Sequence, residues 1–421
     1  MPVLTTIADV GDSKKDRIVI IGAGIVGCAL ASNIAASGKE DVLLIDRSFQ
    51  DFLGSTGHAP GFVGQYNDSL FLSQLAKWSV EEYMSIPGGF QVVGGLELAT
   101  TAAGAAGMDR RCDLAREAGI PAELISSERA ASLAPELIKH EDIKSALFFP
   151  SDGIADAKVV TTYFRRFAER HGARLLEADV QGLEFRDGLI RKLRTNHGEL
   201  STESSQVTFA TGVWTKSLLS DISGTEPVPI IPVAHPYGFT ARRPRRAGQP
   251  YPFVRWPEYH VYARDHGDRD GMGSYDHKTV WEEPGTSAIG AWRVEFESVL
   301  AVATEKCLKN AKDFFAIERD PDAIHFNGIF SVTPDNLPLA GKVRNVENMW
   351  LCAAVWVTHA AGTAKLVSKQ ILGKELTAAE AAVSQALDPN RFAGMDFKSL
   401  AQNALGRYND IYNSQTLDLP S

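Results

Sequence analysis

An α/β fold, with a Rossmann-like dinucleotide-binding domain carrying an inserted, mostly antiparallel β-sheet substrate domain, is what this sequence predicts. Three observations carry that expectation. The glycine turn "GAGIVG" stands between an apolar run and a helical pattern near the N-terminus. From about residue 227 to 300 the chain changes to short alternating segments rich in aromatics and prolines. It then returns to an apolar strand running into a helix in "MWLCAAVWVTHAAGTAKLVSKQIL".

Taken in order, "RIVII" (17–21) is a strand, "CALASNIAASG" a helix and "DVLLID" a second strand. "GIADAKVVTTYFRRFAERHG" reads as a helix with Val159, Val160, Phe164 and Phe167 as its apolar residues and Gly172 as its stop. "ARLLEADVQGLEFRDGLIRKLRTNHGEL" alternates around the turn "RDG", and "QVTFATGVWT" is a buried strand ending in a glycine turn. The nucleotide-binding domain is therefore assembled from 17–85, 150–225 and 326–421. The substrate domain takes 86–149 and 226–325, and 1–16 is an N-terminal tail.

The bulk numbers exclude several classes. At 421 residues, 44% hydrophobic and 23% charged, the chain has the composition of a globular protein with a large core. A net charge of −9 opposes nucleic-acid binding, which needs a basic surface. The cluster Arg242, Arg243, Arg245 and Arg246 lies among Pro and Gly and reads as a solvated loop. No stretch approaches the roughly 20 apolar residues of a membrane span, and residues 1–16 do not resemble a secretory signal. A cytoplasmic protein is expected. Cys28, Cys112, Cys307 and Cys352 form no CxxC pair, so neither a disulfide framework nor a metal site is indicated, and Cys28 and Cys352 read as core.

Gly22, Gly24 and Gly27 fit the dinucleotide fingerprint: a tight turn, a close approach of pyrophosphate to backbone, and a close helix–strand contact. Asp46, at the end of the next strand, stands near the spacing expected of an acid that binds ribose hydroxyls. An NAD domain would continue in regular βα units, whereas this chain leaves for the loop "GSTGHAP" and returns much later. That discontinuity favours FAD. On the residues alone, His58 in this loop reads as a histidine bonding a backbone carbonyl. By the same standard His235 and Tyr262 read as core positions of alternating strands.

Laid in order, "GAGIVG", "STGHAPGFVGQYN", "VGGLELATT", "PSDGIADA", "PVAHPYGF", "VYARDHGDRDGMGSYDH", "FNGIFSVTPDNLPLAG" and "AVWVTHAAGTAK" resemble the FAD domain of the dimethylglycine oxidase, dimethylglycine dehydrogenase and sarcosine dehydrogenase group. That group lies within the glycine oxidase and D-amino-acid oxidase superfamily, and the resemblance runs from about residue 17 to 413. It implies that His58 carries FAD covalently on the 8α-methyl group; the 12 residues from Asp46 reach up to about 40 Å, enough to follow an extended FAD. It implies that His235 and Tyr262 are the catalytic pair, orienting a neutral amine. It implies that Trp356, Val357, Thr358 and His359 form the last flavin loop, although a helix N-cap would also account for them. The cofactor-binding set is completed by Ile25, Val26, Arg47, Ser55, Thr56, Gly57, Phe62, Val180, Gly212 and Trp214.

The activity implied is oxidation of a secondary or tertiary, N-methylated amine or amino acid by hydride transfer to flavin N5. The resulting iminium is hydrolysed or captured in a ring. Oxygen, giving hydrogen peroxide, or a protein or quinone acceptor takes the electrons. Arg255, Arg264 and Arg293 are candidates for a substrate carboxylate because a guanidinium offers a bidentate fork, a structural ion pair being the other reading of each. The group's folate-binding region does not follow before Ser421, so no folate site is expected. An NAD-linked dehydrogenase and a catalytically silent flavoprotein are the competing classes.

Overall fold

The computed structural model describes residues 4–11, 16–39, 41–139, 141–222, 228–283, 290–309 and 325–411. The apolar runs become a seven-stranded sheet ordered Leu4–Thr5, Arg174–Glu177, Val42–Asp46, Ile18–Ile21, Gln206–Phe209, Met349–Ala353, Leu339–Lys342. Every neighbouring pair is parallel except the last.

Alternate residues of the central strands enter two different cores. Ile18, Ile20, Val42 and Leu44 pack with helices Ile25–Ala36, Ala157–Arg170 and Ala360–Ile371. Val19, Ile21, Leu43 and Ile45 pack with Leu183, Ile190, Leu193 and Leu200 of an antiparallel meander, Val180–Arg186, Leu189–Thr195 and Gly198–Ser201. Burial on both faces is why these strands are unbroken apolar runs rather than alternating ones. Successive strands leave Ile18–Ile21 on opposite sides, which opens a crevice at its carboxyl end.

Helix Ala157–Arg170 begins at Asp156, whose carboxylate accepts from the Lys158 and Val159 amides at 3.0 Å each, and ends before Gly172 at φ +92°. Its inner stripe is Ala157, Val160, Thr161, Phe164 and Ala168. Val159 is 37% exposed, because one residue off that stripe is a rotation of about 100°.

The second sheet has eight strands, ordered Phe326–Val332, Ile231–Phe239, Asp270–Ser274, Val261–Asp265, Phe253–Trp256, Gly95–Ala99, Ser145–Phe149, Glu123–Ile125. All pairings are antiparallel except that of Phe253–Trp256 with Gly95–Ala99. Two segments sit differently from the sequence expectation. Phe326–Val332, read with the nucleotide-binding part, pairs along its length with Ile231–Phe239, and Leu4–Thr5, read as tail, adds an edge strand beside Arg174–Glu177. The segment "WEEPGTSAIGAWRVEFESVLAVATEKCL" contains a helix, Phe296–Cys307, whose buried face is Phe296, Leu300, Ala303, Thr304 and Cys307; residues 284–289 lie outside the described residues.

Cys28 and Cys352 are buried in the core around the parallel sheet. The arginine cluster is paired rather than merely solvated. Arg242 bonds Asp268, while Arg243 and Arg246 converge on Asp270, with Asp265 and Glu136 beside them. No helix among the described residues is long and apolar enough to cross a membrane.

Candidate functional site

A cavity of about 510 Å³ runs from the carboxyl ends of the parallel strands to the inner face of the eight-stranded sheet. At its first end Gly22 turns the chain at φ +102°. A side-chain carbon there would stand 2.8 Å from the Ala210 carbonyl carbon. A carbon on Gly27 would stand 3.0 Å from the carbonyl carbon of Gly22, so this residue lets helix Ile25–Ala36 start directly against the turn. The helix's first amide, that of Ile25, donates to Thr56 Oγ1 at 3.1 Å, which ties the following loop to the glycine turn.

Asp46 accepts from the Ala23 amide at 2.6 Å and from the Ser48 amide at 3.1 Å. Burial pushes its carboxyl above the usual range, and the two amides oppose that shift. Arg47 lies 4.1 Å above the Trp214 ring, and both face the cavity with Val180 and Gly212. The glycine turn, a helix N-terminus and an acid at the strand end leave space for a nucleotide diphosphate against backbone, so the residues present fit FAD. Of the expected cofactor set, Gly27 and Gly57 act from behind the wall, and the others line it. Gly57 packs directly on Phe52, where a side-chain carbon would stand 2.9 Å from Phe52 Cβ.

His58 ends the short helical turn Ser55–His58 and lines the cavity. Its Nδ1 lies 3.0 Å from the Gly54 carbonyl, which requires a hydrogen on Nδ1, so Nε2 is the ring nitrogen left outside that bond. Ser55 Oγ anchors the turn by donating to the Ile329 carbonyl at 2.9 Å.

The far end is built on the antiparallel sheet. His235 Nε2 lies 2.9 Å from the Tyr262 hydroxyl, and its Nδ1 lies 2.6 Å from the Tyr408 hydroxyl. The Tyr262 ring crosses the neighbouring strand over Gly273, where a side-chain carbon would fall 2.5 Å from its Cε1. Burial, with His277 adding to it, pushes the His235 imidazole well below its ordinary range, so the ring is neutral.

Trp356, Val357, Thr358 and His359 all line the cavity, in a turn that opens into helix Ala360–Ile371. Trp356 Nε1 donates to the Ser331 carbonyl at 3.1 Å, and Tyr83 holds the Val357 carbonyl at 2.6 Å. Burial lowers the His359 imidazole to about 3.

The three arginines separate. Arg255 lines the cavity and is ion-paired with the buried Glu97. Arg264 is not among the lining residues and donates to the Pro60 carbonyl behind the loop. Arg293 is also not among them, being paired with Glu282 at 3.0 Å and Glu295 at 2.8 Å. Burial opposes ionisation of Glu97, but Arg111 and Arg255 hold its carboxyl below the usual range.

Sequence reasoning missed three groups. Asp152 is fully buried; its Oδ1 accepts the Gln65 amide at 2.9 Å, while Oδ2 has no hydrogen-bond partner, and burial pushes the carboxyl up to about 7. Tyr408 and His277 extend the His235 contact outward. The helical stripe Leu400, Ala401, Ala404, Tyr408 was a usable signal, because a buried tyrosine needs a partner for its hydroxyl.

The family model described as DAO, FAD dependent oxidoreductase, matches residues 17–370. The chain is 28% identical over 402 residues to the mitochondrial dimethylglycine dehydrogenase of Rattus norvegicus, covering 90% of this chain and 45% of that protein. It is 23% identical over 407 residues to 4-methylaminobutanoate oxidase (formaldehyde-forming) of Paenarthrobacter nicotinovorans, covering 93% and 48%. The chain thus spans just under half the length of these curated relatives. Among solved structures, L-proline dehydrogenase from P. horikoshii is similar with a TM-score of 0.74 at 25% identity, covering 90% of this chain and 98% of that one.

Proposed function

Because the chain belongs to the FAD dependent oxidoreductase family, we propose that its cavity oxidises a secondary or tertiary, N-methylated amine or amino acid at the carbon next to nitrogen. The observation that carries this reading is the neutral, buried His235–Tyr262 pair at the opposite end of the cavity from the dinucleotide cradle. FAD, when bound, supplies the two-electron acceptor for a hydride from that carbon.

The residues of this chain supply the rest. His235 fixes the Tyr262 hydroxyl, which positions the amine and takes part in its loss of a proton, since only the neutral amine has a lone pair to assist loss of hydride. The oxidised substrate is an iminium; addition of water and loss of the amine give a carbonyl compound and a dealkylated amine. The Trp356–His359 turn, with Phe62, Tyr275 and Phe330, forms the wall of the cavity beside the His235–Tyr262 pair. Oxygen is the acceptor we assign to the turnover, with release of hydrogen peroxide.

We assign covalent attachment of FAD to His58 Nε2. The Gly54 carbonyl bond uses Nδ1, so a carbonyl-bonded loop histidine and an attachment site are compatible in one ring. A second reading, a cyclic secondary amine such as L-proline, is favoured by the near-complete coverage of the L-proline dehydrogenase chain.

The test is anaerobic mixing of the purified holoprotein with sarcosine, N,N-dimethylglycine, 4-methylaminobutanoate and L-proline, followed by bleaching of the flavin band. Formaldehyde release marks N-demethylation, and bleaching without formaldehyde by proline alone marks the cyclic reading. If none of these amines bleaches the flavin, the amine assignment is wrong.

A further inference from the structure

The hydrogen bonds around His235 do not stop at the pair. Tyr262 Oη lies 2.9 Å from His235 Nε2, His235 Nδ1 lies 2.6 Å from Tyr408 Oη, and Tyr408 Oη lies 2.8 Å from His277 Nε2. His277 Nδ1 lies 2.9 Å from the Lys278 carbonyl. Tyr262 lines the cavity; His277 is half-buried between the exposed Asp276 and Lys278. Asn409 holds this outer end in place, its amide donating to the carbonyls of Tyr275 at 2.7 Å and His277 at 2.8 Å.

A carbonyl only accepts, and it therefore sets the sense of the whole chain. The Lys278 carbonyl requires the hydrogen of His277 on Nδ1, so Nε2 is an acceptor and Tyr408 donates to it. Tyr408 oxygen then accepts from His235 Nδ1–H, His235 Nε2 accepts, and Tyr262 donates its hydrogen outward. The Ala234 carbonyl, at 3.3 Å from Tyr408 Oη, competes for that hydroxyl at a longer distance. In this sense the phenol oxygen of Tyr262 meets the cavity as an acceptor.

We propose that Tyr408 and His277 complete, with His235 and Tyr262, a polarised proton outlet from the cavity to the protein surface. The polarity rests on the hydrogen bonds alone; the identity of the proton rests on the amine reading above. A substrate ammonium gives its proton to Tyr262 oxygen as the Tyr262 hydrogen passes to His235 Nε2. The His235 Nδ1 hydrogen passes to Tyr408, the Tyr408 hydrogen passes to His277 Nε2, and the His277 Nδ1 hydrogen leaves to solvent. One proton enters at the cavity and one leaves at the surface.

The chain then stands in the reverse sense, with a lone pair of His277 facing the Lys278 carbonyl. That contact is repulsive, so the reverse sense favours uptake of a proton at His277 Nδ1. Uptake there delivers a proton from Tyr262 back to the cavity, where the dealkylated amine accepts it, and the resting polarity returns. Each turnover moves one proton out before oxidation and one in after it.

Two measurements on the holoprotein decide this. With ring-¹⁵N histidine, His235 is expected as the Nδ1–H tautomer, and Tyr408→Phe, which removes the acceptor, is expected to shift it toward Nε2–H without changing FAD content. A His235 already in the Nε2–H form, or one unchanged by Tyr408→Phe, overturns the polarity. In the second measurement, His277→Ala is expected to slow flavin bleaching by sarcosine about tenfold or more in dilute bulky buffer. Added imidazole is expected to restore the rate, which a merely structural defect would not show. Slowing without rescue, or no slowing, overturns the outlet. If sarcosine and the other amines fail to bleach the unsubstituted protein, the amine reading falls, while the tautomer measurement still decides the polarity.

Discussion

Gly22→Ala is expected to deprive the chain of FAD. The residue sits at φ +102°, outside the regions open to an L-residue; even the milder left-handed helical region costs about 1–2 kcal/mol. The added carbon would stand 2.8 Å from the Ala210 carbonyl carbon and 3.3 Å from Thr211 Cα, with the Ala210 oxygen nearer still. Carbon atoms in contact prefer about 3.5–4.0 Å, so the two strand ends must part by roughly 0.7 Å or more. Both neighbours are backbone just beyond Gln206–Phe209, a strand paired with Ile18–Ile21, and neither can rotate aside. Overpacking of this kind costs about 1–3 kcal/mol, which with the dihedral cost makes about 2–5 kcal/mol. The displacement also pulls on the 2.6 Å bond from the Ala23 amide to Asp46 and on the start of the helix. The assay is the flavin-to-protein absorbance ratio after purification, with a thermal melt beside it. Gly38→Ala is the control, since Gly38 has φ +83° but nothing within 4 Å of an added carbon, so it carries the dihedral cost alone. Full flavin occupancy in Gly22→Ala, or an equal loss in Gly38→Ala, would refute the role assigned to the close approach.

His58→Ala is expected to release all flavin on acid precipitation; flavin still attached to the precipitated polypeptide would place the link elsewhere. Tyr262→Phe leaves His235 Nε2 without its 2.9 Å donor and is expected to slow flavin reduction by sarcosine about 10²-fold or more, and an unchanged limiting rate in stopped flow removes Tyr262 from the chemistry. Asp152, with its carboxyl raised to about 7, lends stability that is fully present below the ordinary carboxyl range and is lost as pH rises through about 7. Between about pH 5 and pH 8 the parent should lose on the order of a few kcal/mol through this group. Asp152→Asn should flatten that part of the melting profile, and parallel profiles for the two proteins would falsify the assignment.

What was legible in the sequence follows from how local each constraint is. The roles of Gly22, Gly27 and Asp46 are decided within one strand–turn–helix–strand unit, so spacing alone exposes them. The two-faced burial of the parallel strands is likewise written in their unbroken apolar runs. The arginines were not sortable in this way. Arg264 reaches a carbonyl 204 residues away, and Arg255 is committed by Glu97 on a strand distant in sequence, so only the assembled sheet separates wall from filler. The same distance hid Tyr408, which lies 173 residues from His235 and whose own helix shows only that it is buried. The edge strands Leu4–Thr5 and Phe326–Val332 take their places from pairing partners, which a single-sequence pattern does not contain.

Charge is unevenly placed within the antiparallel-sheet end of the cavity, where Arg255 is the cross-strand partner of Tyr262, and that bears on substrate form. Around His235 stand Tyr262, Tyr275, Phe330 and Tyr408, all uncharged. An ammonium brought there gives up its hydration with no anion supplied by these four rings, so on the amine reading proposed above the neutral amine is the favoured form beside His235. Arg255 presents a cation to the cavity, but Glu97 already engages it, and Glu97 is shared with Arg111 at 2.6 Å. A substrate carboxylate meeting Arg255 joins an existing pair instead of an open cation. Its attraction is then set by how far Arg111, which also pairs with Asp68 at 2.5 Å, takes up Glu97's share. On the amine reading proposed above, discrimination between an amino acid and a plain amine is expected to reside in the Glu97–Arg111–Arg255 cluster, and the preference for a deprotonated nitrogen in the His235 surroundings.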